Sequence, residues 1–347
     1  MAWYSNILGR TEKLNPAQQF DVGQKESSRE HTLSYTRAYE ELEIVNRGVN
    51  MIVDDCAGIP TIVKPESNTK GVIKGIKRVK VETLLNREPN PYQDINSFRR
   101  NLITDFIVDG NIFVYFDGAH MYHLPAEKVT VHADDKTYIS HYSLNDVDFT
   151  TEEIIHIKEN SFHSIYRGVP RLSPAARTMN LISSMRKFQD NFFKNGAVPG
   201  LVLKTENTLS DKIKERMILS WQQRYSPDAG GRRPLILDGG ISVDSISNVN
   251  FKDLDFQQSI ADNEKIILKA LGVPPILLDS GNNANIRPNL RLYYLETVLP
   301  IVRKINFAMT RFYGFECVED ITDIPALQPE LSDSSAYYTS LVNGGII

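Results

Sequence analysis

The sequence predicts an α+β chain, and three observations carry that prediction. Leu42, Val45, Val49, Ile52, Val53 and Cys56 recur at three- and four-residue steps, the pattern of one buried helical face. Short β-branched runs between residues 61 and 157 are punctuated by turn residues such as Asp117-Gly118 and Asp134-Asp135. From Ser173-Pro174 to Asn195-Gly196 the chain carries no helix breaker, and about 21 residues at about 1.5 Å each make a rod of roughly 31 Å.

Taken in order, residues 1–35 are polar, with Gln18-Gln19, Lys25-Glu26 and Ser27-Ser28, and are expected to form an N-terminal arm. A helix follows over 36–57 and ends at Gly58 and Pro60. Between 61 and 82, Ile62, Val63, Val72, Ile73, Ile76, Val79 and Val81 interleave with Lys70, Lys74, Lys77, Arg78 and Lys80, which predicts strands with one wet, basic face. No aromatic residue is set among these lysines to stack on bases, so a solvated face explains them and no site is assigned. A helix is expected over 95–108, a turn at Asp109-Gly110-Asn111, a strand over Ile112–Phe116, and further strands through Ile157.

The long middle helix opens on Ser173, suited to cap free amides, and Pro174, preorganised for the first helical position. Arg177, Arg186, Lys187 and Lys194 face only Asp190 in charge, while Met179, Ile182, Met185, Phe188, Phe192 and Phe193 supply apolar contact. Residues 197–251 read as a small α/β module, with strands at 201–204, 235–237 and 241–246, a helix over 210–225 and a loop over 227–233. A second long helix over 254–271 has Asp253 and Asp255 at its positive end, carries Lys265 and Lys269, and stops at Gly272 and Pro274-Pro275. Residues 279–285 are small or polar and without period, which makes an exposed loop. Pro288 should open a last long helix, bent at Pro300 and ended by Gly314, before a strand over Phe315–Val318 and a short helix after Ser332. Two long helices around one small module suit a projecting stalk.

Composition bounds the function. The formal charge of −4 lacks the basic excess with which duplex-gripping proteins neutralise phosphates. Met1 to Arg10 carries no leader pattern, and no window approaches the roughly 18 apolar residues of a membrane helix, so a soluble protein is expected. Cys56 and Cys317 have no metal-type spacing and are expected to be buried thiols. The search for catalytic chemistry finds no Gly-rich loop followed by Lys-Ser or Lys-Thr, no nucleophile elbow, and no cysteine near His120 and His123. Asp54-Asp55 and Asp134-Asp135 are neighbours whose side chains point apart, with no third ligand, and are better read as surface acids or caps. No cofactor, no metal and no enzymatic activity is expected.

A family pattern runs from Ile154 onward. Its pieces are Ile155-His156-Ile157-Lys158, Tyr166-Arg167-Gly168-Val169-Pro170-Arg171-Leu172-Ser173-Pro174 and Phe192-Phe193-Lys194-Asn195-Gly196-Ala197-Val198-Pro199-Gly200. It continues through Trp221, Tyr225, Leu237-Asp238-Gly239-Gly240, Asp253-Leu254-Asp255-Phe256, Leu271-Gly272-Val273-Pro274-Pro275-Ile276-Leu277-Leu278 and Thr297-Val298-Leu299-Pro300. In this order, with Leu84-Leu85-Asn86 and Gly110-Asn111 upstream, the chain resembles the portal proteins, the head-to-tail connectors, of long-tailed bacteriophages.

The resemblance implies a phage portal fold: a mixed α/β wing, a two-helix stem, a small α/β clip and a kinked tunnel/wing helix. It would divide the chain into an arm (1–35), wing (36–171), stem (172–195 and 253–278), clip (196–252), tunnel loop (279–287) and kinked helix with wing return (288–347). Chains of this type commonly continue past Asn343-Gly344-Gly345 into a crown, which is not expected here. The implied role is a non-enzymatic ring subunit, usually twelvefold, assembled in the host cytoplasm and placed at one vertex of the virion. Double-stranded DNA would pass through it, with the terminase large subunit, head-completion or adaptor proteins, major capsid protein and scaffold as partners and no membrane. Asn282, Asn283, Asn285 and Arg287 would line the tunnel, Arg177, Arg186, Lys187, Lys194, Lys265 and Lys269 the stem's channel face, and Arg232 and Arg233 would meet a clip partner. Weak contacts suit a conduit, since a wall that gripped phosphates would stall translocation. Another ring-forming head-tail adaptor and a metal-dependent DNA-processing enzyme are the alternatives.

Overall fold

The computed structural model describes residues 33–65, 71–133, 138–162, 164–194, 201–204, 210–216, 219, 242–245, 256–278, 286–328 and 339–342. The chain divides into two compact units, one of residues 1–176 with 265–347 and one of 177–264.

In the first unit the expected helix over 36–57 is two helices, α1 (Tyr35–Glu41) and α2 (Glu43–Ala57). Leu42 between them is extended and buried, yet Leu42 N–H still bonds Ala38 O and Asn46 N–H bonds Leu42 O, so the break leaves those groups satisfied. Tyr39 Oη donates to Asn50 Oδ1 at 3.0 Å and Asn46 Nδ2 to Tyr39 O at 3.1 Å, which staples the two segments together. After β1 (Thr61–Val63) the expected strands over 61–82 do not continue; α3 (Arg78–Asn86) takes their place. Its buried residues are Val81, Leu84 and Leu85, a helical stripe whose second half lies beyond the segment whose alternation looked like a strand. Asn86 then clamps Thr61, accepting its N–H at 2.9 Å and donating to its C=O at 2.7 Å.

Helix α4 (Ile95–Val108) occupies its expected residues, capped by Asp94 on Ser97 N–H, and buries Phe98, Leu102, Ile103, Phe106 and Ile107. Strand β2 (Asn111–Phe116) lies between β3 (Met121–Leu124) and β7 (Ile154–Lys158), both antiparallel to it. Strands β4 (Thr130–His132), β5 (His141–Leu144) and β6 (Val147–Thr150) form a second antiparallel sheet. Phe113, Leu124, Val131, Tyr142 and Ile154 join the two sheets in one apolar core. The turn at Asp134-Asp135 lies outside the described residues.

The late part of the chain closes this unit. A continuous helical run comprises α7 (Ile286–Tyr293), a π-turn (Tyr294–Val298) and α8 (Leu299–Tyr313). It begins two residues before Pro288, and Pro300 does not interrupt an α-helical ladder. The π-turn places it in the first turn of α8, where a missing N–H is tolerated. Gly314, at φ 79°, ends α8, and β10 (Cys317–Glu319) pairs with β1 in the register Thr61↔Glu319 and Val63↔Cys317. Thr61 Oγ1 also donates to the buried Asn306 of α8 at 3.0 Å, so chain separated by about 250 residues is joined twice.

The second unit contains most of α5 (Ala176–Lys194), the antiparallel pair β8 (Leu201–Lys204) and β9 (Ser242–Ser245), a helical stretch over 211–216, and the start of α6 (Phe256–Leu271). Ser173 does not cap α5: a 3-10 turn over Ser173–Ala175 precedes it, begun by Leu172 without a side-chain cap. The expected strand over 235–237 and loop over 227–233 lie outside the described residues.

Candidate functional site

The motif from Tyr166 to Pro174 sets the point where α5 leaves the first unit. Arg167 donates to Asp109 Oδ1 at 2.7 Å, to Val129 O at 2.7 Å and to Ala126 O at 3.0 Å, with its guanidinium 5.5 Å from the Phe113 ring. Four residues on, Arg171 Nε donates to Glu159 Oε2 at 2.9 Å, and Lys304 Nζ of α8 donates to Glu159 Oε1 at 2.5 Å. Both cations also lie over the Phe106 ring, at 5.8 and 5.3 Å. Burial pushes the Glu159 carboxyl up, but the bonds from Lys304 and Arg171 outweigh it and hold the group below its usual range. Between the two arginines Gly168 is obligatory, because a Cβ there would lie 2.2 Å from Gly110 O.

His156 is stacked on Phe113 at 4.3 Å, with Nε2 3.2 Å from Asn111 Oδ1. Burial, with Arg167 and Lys158 nearby, pushes its pKa down to about 3, so the ring is neutral. Cys56 and Cys317 are buried free thiols. Among the described residues no group of three or more His, Cys, Asp or Glu is placed to hold a metal ion, and no helix is long and apolar enough to cross a membrane.

The segments flanking residues 279–285 are fixed tightly. Helix α6 ends at Gly272, φ 80°, where a Cβ would lie 2.5 Å from Thr297 Oγ1, and Thr297 donates to Gly272 O at 2.8 Å. The π-turn thereby holds the end of α6, while Tyr294 Oη donates to Asp55 of α2 at 2.9 Å. Gly48 of α2 allows the other approach: a Cβ there would lie 2.9 Å from Leu271 and 3.1 Å from Leu268. Next to this junction lies a cavity of about 780 Å³ between the loop after β7, the end of α6 and the π-turn, with Glu159, Arg171, Lys269 and Glu296 among apolar walls such as Val169, Leu271 and Leu292.

Of the residues expected to face a channel, Asn282, Asn283 and Asn285 lie outside the described residues, as do Arg232 and Arg233. Arg287 is exposed in the first turn of α7. Arg177 and Lys187 are exposed on α5, and Lys265 and Lys269 are exposed four residues apart on α6. Arg186 departs from the set. At about 100° per residue it lies about 180° around α5 from Arg177. Its guanidinium is 3.7 Å from Glu264, so it continues the side that buries Met179 and Ile182. Lys194 falls near Lys187 in helical register, seven residues on. Asp55, read from the sequence as a surface acid or cap, is half-buried and accepts from Tyr294; Thr297 was named only as part of the family pattern, and Glu159 and Lys304 were not singled out. The only signal for the last two was proximity to motif residues, and the partners of all four are 12 to 239 residues away.

The family model described as phage portal protein matches residues 43–347. The portal protein of Escherichia phage T5 is 38% identical over 346 residues, covering 97% of this chain and 86% of that one. A crystal structure of an HK97 family phage portal protein from Corynebacterium diphtheriae superposes with a TM-score of 0.63 at 14% identity, covering 87% of this chain and 99% of the other. A chain from the neck of the native gene transfer agent particle, computed with C12 symmetry, has a TM-score of 0.62 at 20% identity, covering 92% and 91%. These likenesses carry the α+β portal fold expected from the sequence.

Proposed function

The chain belongs to the phage portal protein family, and from that premise we propose that it works as one subunit of a closed ring, about a dozen copies around an axial hole, at the portal vertex of a virion. Double-stranded DNA passes through the hole during packaging and ejection, and the ring's outer surfaces receive the terminase large subunit, head-completion or adaptor proteins, the major capsid protein and scaffold during assembly in the host cytoplasm. The observation that supports this reading most strongly is the 38% identity to a portal protein along nearly the whole chain. The C12 symmetry of the gene transfer agent neck supports the ring. The role assigned is structural, with no catalytic residue.

Within that reading, residues 36–171 with 288–347 form the wing, 172–195 with 253–278 the stem, 196–252 the clip and 279–287 the tunnel loop. Asn282, Asn283, Asn285 and Arg287 give the passing duplex short polar contacts that read no sequence. Arg177, Lys187, Lys194, Lys265 and Lys269 form the cationic part of the stem's channel face, and Arg232 and Arg233 of the clip meet the docking partner. Arg186 is assigned to holding α5 on α6 through Glu264. Contacts this sparse, on a chain of net charge −4, keep the duplex free to slide.

Class averages of the purified chain test the ring: a closed particle of about a dozen subunits with an axial hole is expected, and a stable monomer that cleaves DNA with a metal refutes it. Arg287→Ala combined with a shortened 279–285 loop tests the tunnel. Packaging yield and DNA retention should fall, and unchanged values for both would remove the loop from the channel.

A further inference from the structure

The basic stretch singled out in the sequence has an unresolved electrostatic position in the fold. Lys74, Lys77 and Lys80 gather at the start of α3, the positive end of the helix dipole, where cations are disfavoured and anions are held. The first turn of α3 carries no acidic residue, and Lys77, at the cap position, makes no side-chain cap bond. None of the three lysines engages a carboxylate among the described residues, although Arg78 beside them pairs with Glu82 at 3.2 Å. Val79 lies in their midst, 65% exposed.

The opposite chemistry lies elsewhere in the same unit. The β5–β6 hairpin turns through Asn145 and Asp146, both at positive φ, and β6 is an edge strand of its sheet, with Val147, Asp148 and Thr150 exposed. Asp146 and Glu152 engage no cation among the described residues, and Asp148 approaches only His141 Nε2, at 3.8 Å. Val147, between the two aspartates, is 55% exposed. An edge strand that no further strand pairs among the described residues, carrying an exposed valine, invites pairing, and its flanking carboxylates restrict which partner can approach.

Each surface thus has three charges of one sign without a carboxylate or Lys/Arg partner among the described residues around one exposed valine, and the signs are opposite. They are carried by separate elements: α3 packs on β1 and α4, and β6 packs on β5. Within a closed ring, complementary but different patches join neighbouring copies head to tail, one patch of each copy against the other patch of the next.

We propose that the acidic hairpin of one copy, Asp146 to Glu152, docks on the Lys74–Lys80 stretch of the next copy, with Val147 against Val79. The contact rests on the ring reading above and names the surface through which neighbouring wings recognise each other. Charge at this contact sets which way round two copies meet, and it is sensitive to salt because Lys74 and Lys77 are exposed.

The test uses the full-length chain and mass photometry across a concentration series. The variant Lys74→Glu/Lys77→Glu/Lys80→Glu is acidic on both surfaces, and Asp146→Lys/Asp148→Lys/Glu152→Lys is basic on both. Each alone should raise the concentration of half-assembly at least about tenfold, while thermal unfolding shows that each still folds. Mixed one to one, the two should assemble again, because acidic and basic chains can alternate around a ring with an even number of places. Rings at the wild-type concentration from either variant alone, or two folded variants whose mixture fails to assemble, overturn the contact and leave the ring reading standing. A wild-type chain that never forms rings overturns both. If the lysine variant assembles normally but loses retention of duplex DNA in a gel shift, phosphate is the partner of these lysines and the contact is overturned.

Discussion

Glu159→Ala removes the acceptor that Arg171 and Lys304 share, and both cations stay over the Phe106 ring. Truncating one partner of a buried pair costs about 3–5 kcal/mol when the remaining charge is fully enclosed. Here the side chains of Arg171 and Lys304 keep 25% and 34% of their exposure, so water screens part of the loss. An estimate of about 2–3 kcal/mol follows. In a unit of this size each kcal/mol moves Tm by about 2–4 °C, giving a fall of roughly 4–12 °C at pH 7 and fixed protein concentration, read by calorimetry. The sign of the pH dependence is set by the depressed carboxyl of Glu159. The ionised group stabilises the fold above its ordinary pKa of 4.5, and that contribution is lost as pH falls through the lower folded value. The gap between wild type and variant should therefore narrow below about pH 4.5. A Tm within 1 °C of wild type at pH 7, or a gap that widens on acidification, would refute the hub role of Glu159.

Two further outcomes follow from single positions. Gly272→Ala combines a left-handed backbone with a Cβ 2.5 Å from Thr297 Oγ1, whereas Gly118→Ala meets nothing within 4 Å at φ 95°. The first should lower stability by at least about 2 kcal/mol and the second by about 1 kcal/mol in chemical denaturation; equal costs would show that Thr297 does not hold the end of α6. His156, with its pKa pushed down to about 3, should show no imidazole titration by NMR between pH 5 and 8 in the folded chain. Below its ordinary 6.5 the unfolded chain takes a proton that the folded chain refuses, so stability falls on acidification by up to about 1.4 kcal/mol per pH unit. His156→Phe should remove that one-proton slope, and an unchanged slope would place the ring outside the core.

Much of the architecture was readable because it is local. The ends of α4, α6 and α8 follow from Asp109-Gly110, Gly272 and Gly314, whose backbone freedom and breaking effect act within one turn. The long unbroken α5 and the paired strands β8 and β9 were likewise visible in runs of a few residues. The readings that failed depended on distant partners. Residues 61–82 alternate like strands, yet Val81, Leu84 and Leu85 have an apolar surface to bury against, and Asn86 bonds the backbone of Thr61, so α3 forms instead. Pro300 was expected to bend its helix by itself, whereas the π-turn before it is held by Thr297 on Gly272 and Tyr294 on Asp55.

The same division applies to the site. The sequence by itself determined which cations exist, in what order, and the portal pattern that connects them, because composition and spacing are properties of the chain alone. Only the tertiary structure decided what each cation does: Arg167 pairs with Asp109, Arg171 with Glu159 and Arg186 with Glu264, while Lys74, Lys77 and Lys80 lie at a helix end with no carboxylate partner among the described residues. A charge acts over a few ångströms, and the residues that come within that distance here are brought together from up to 239 positions apart by the fold.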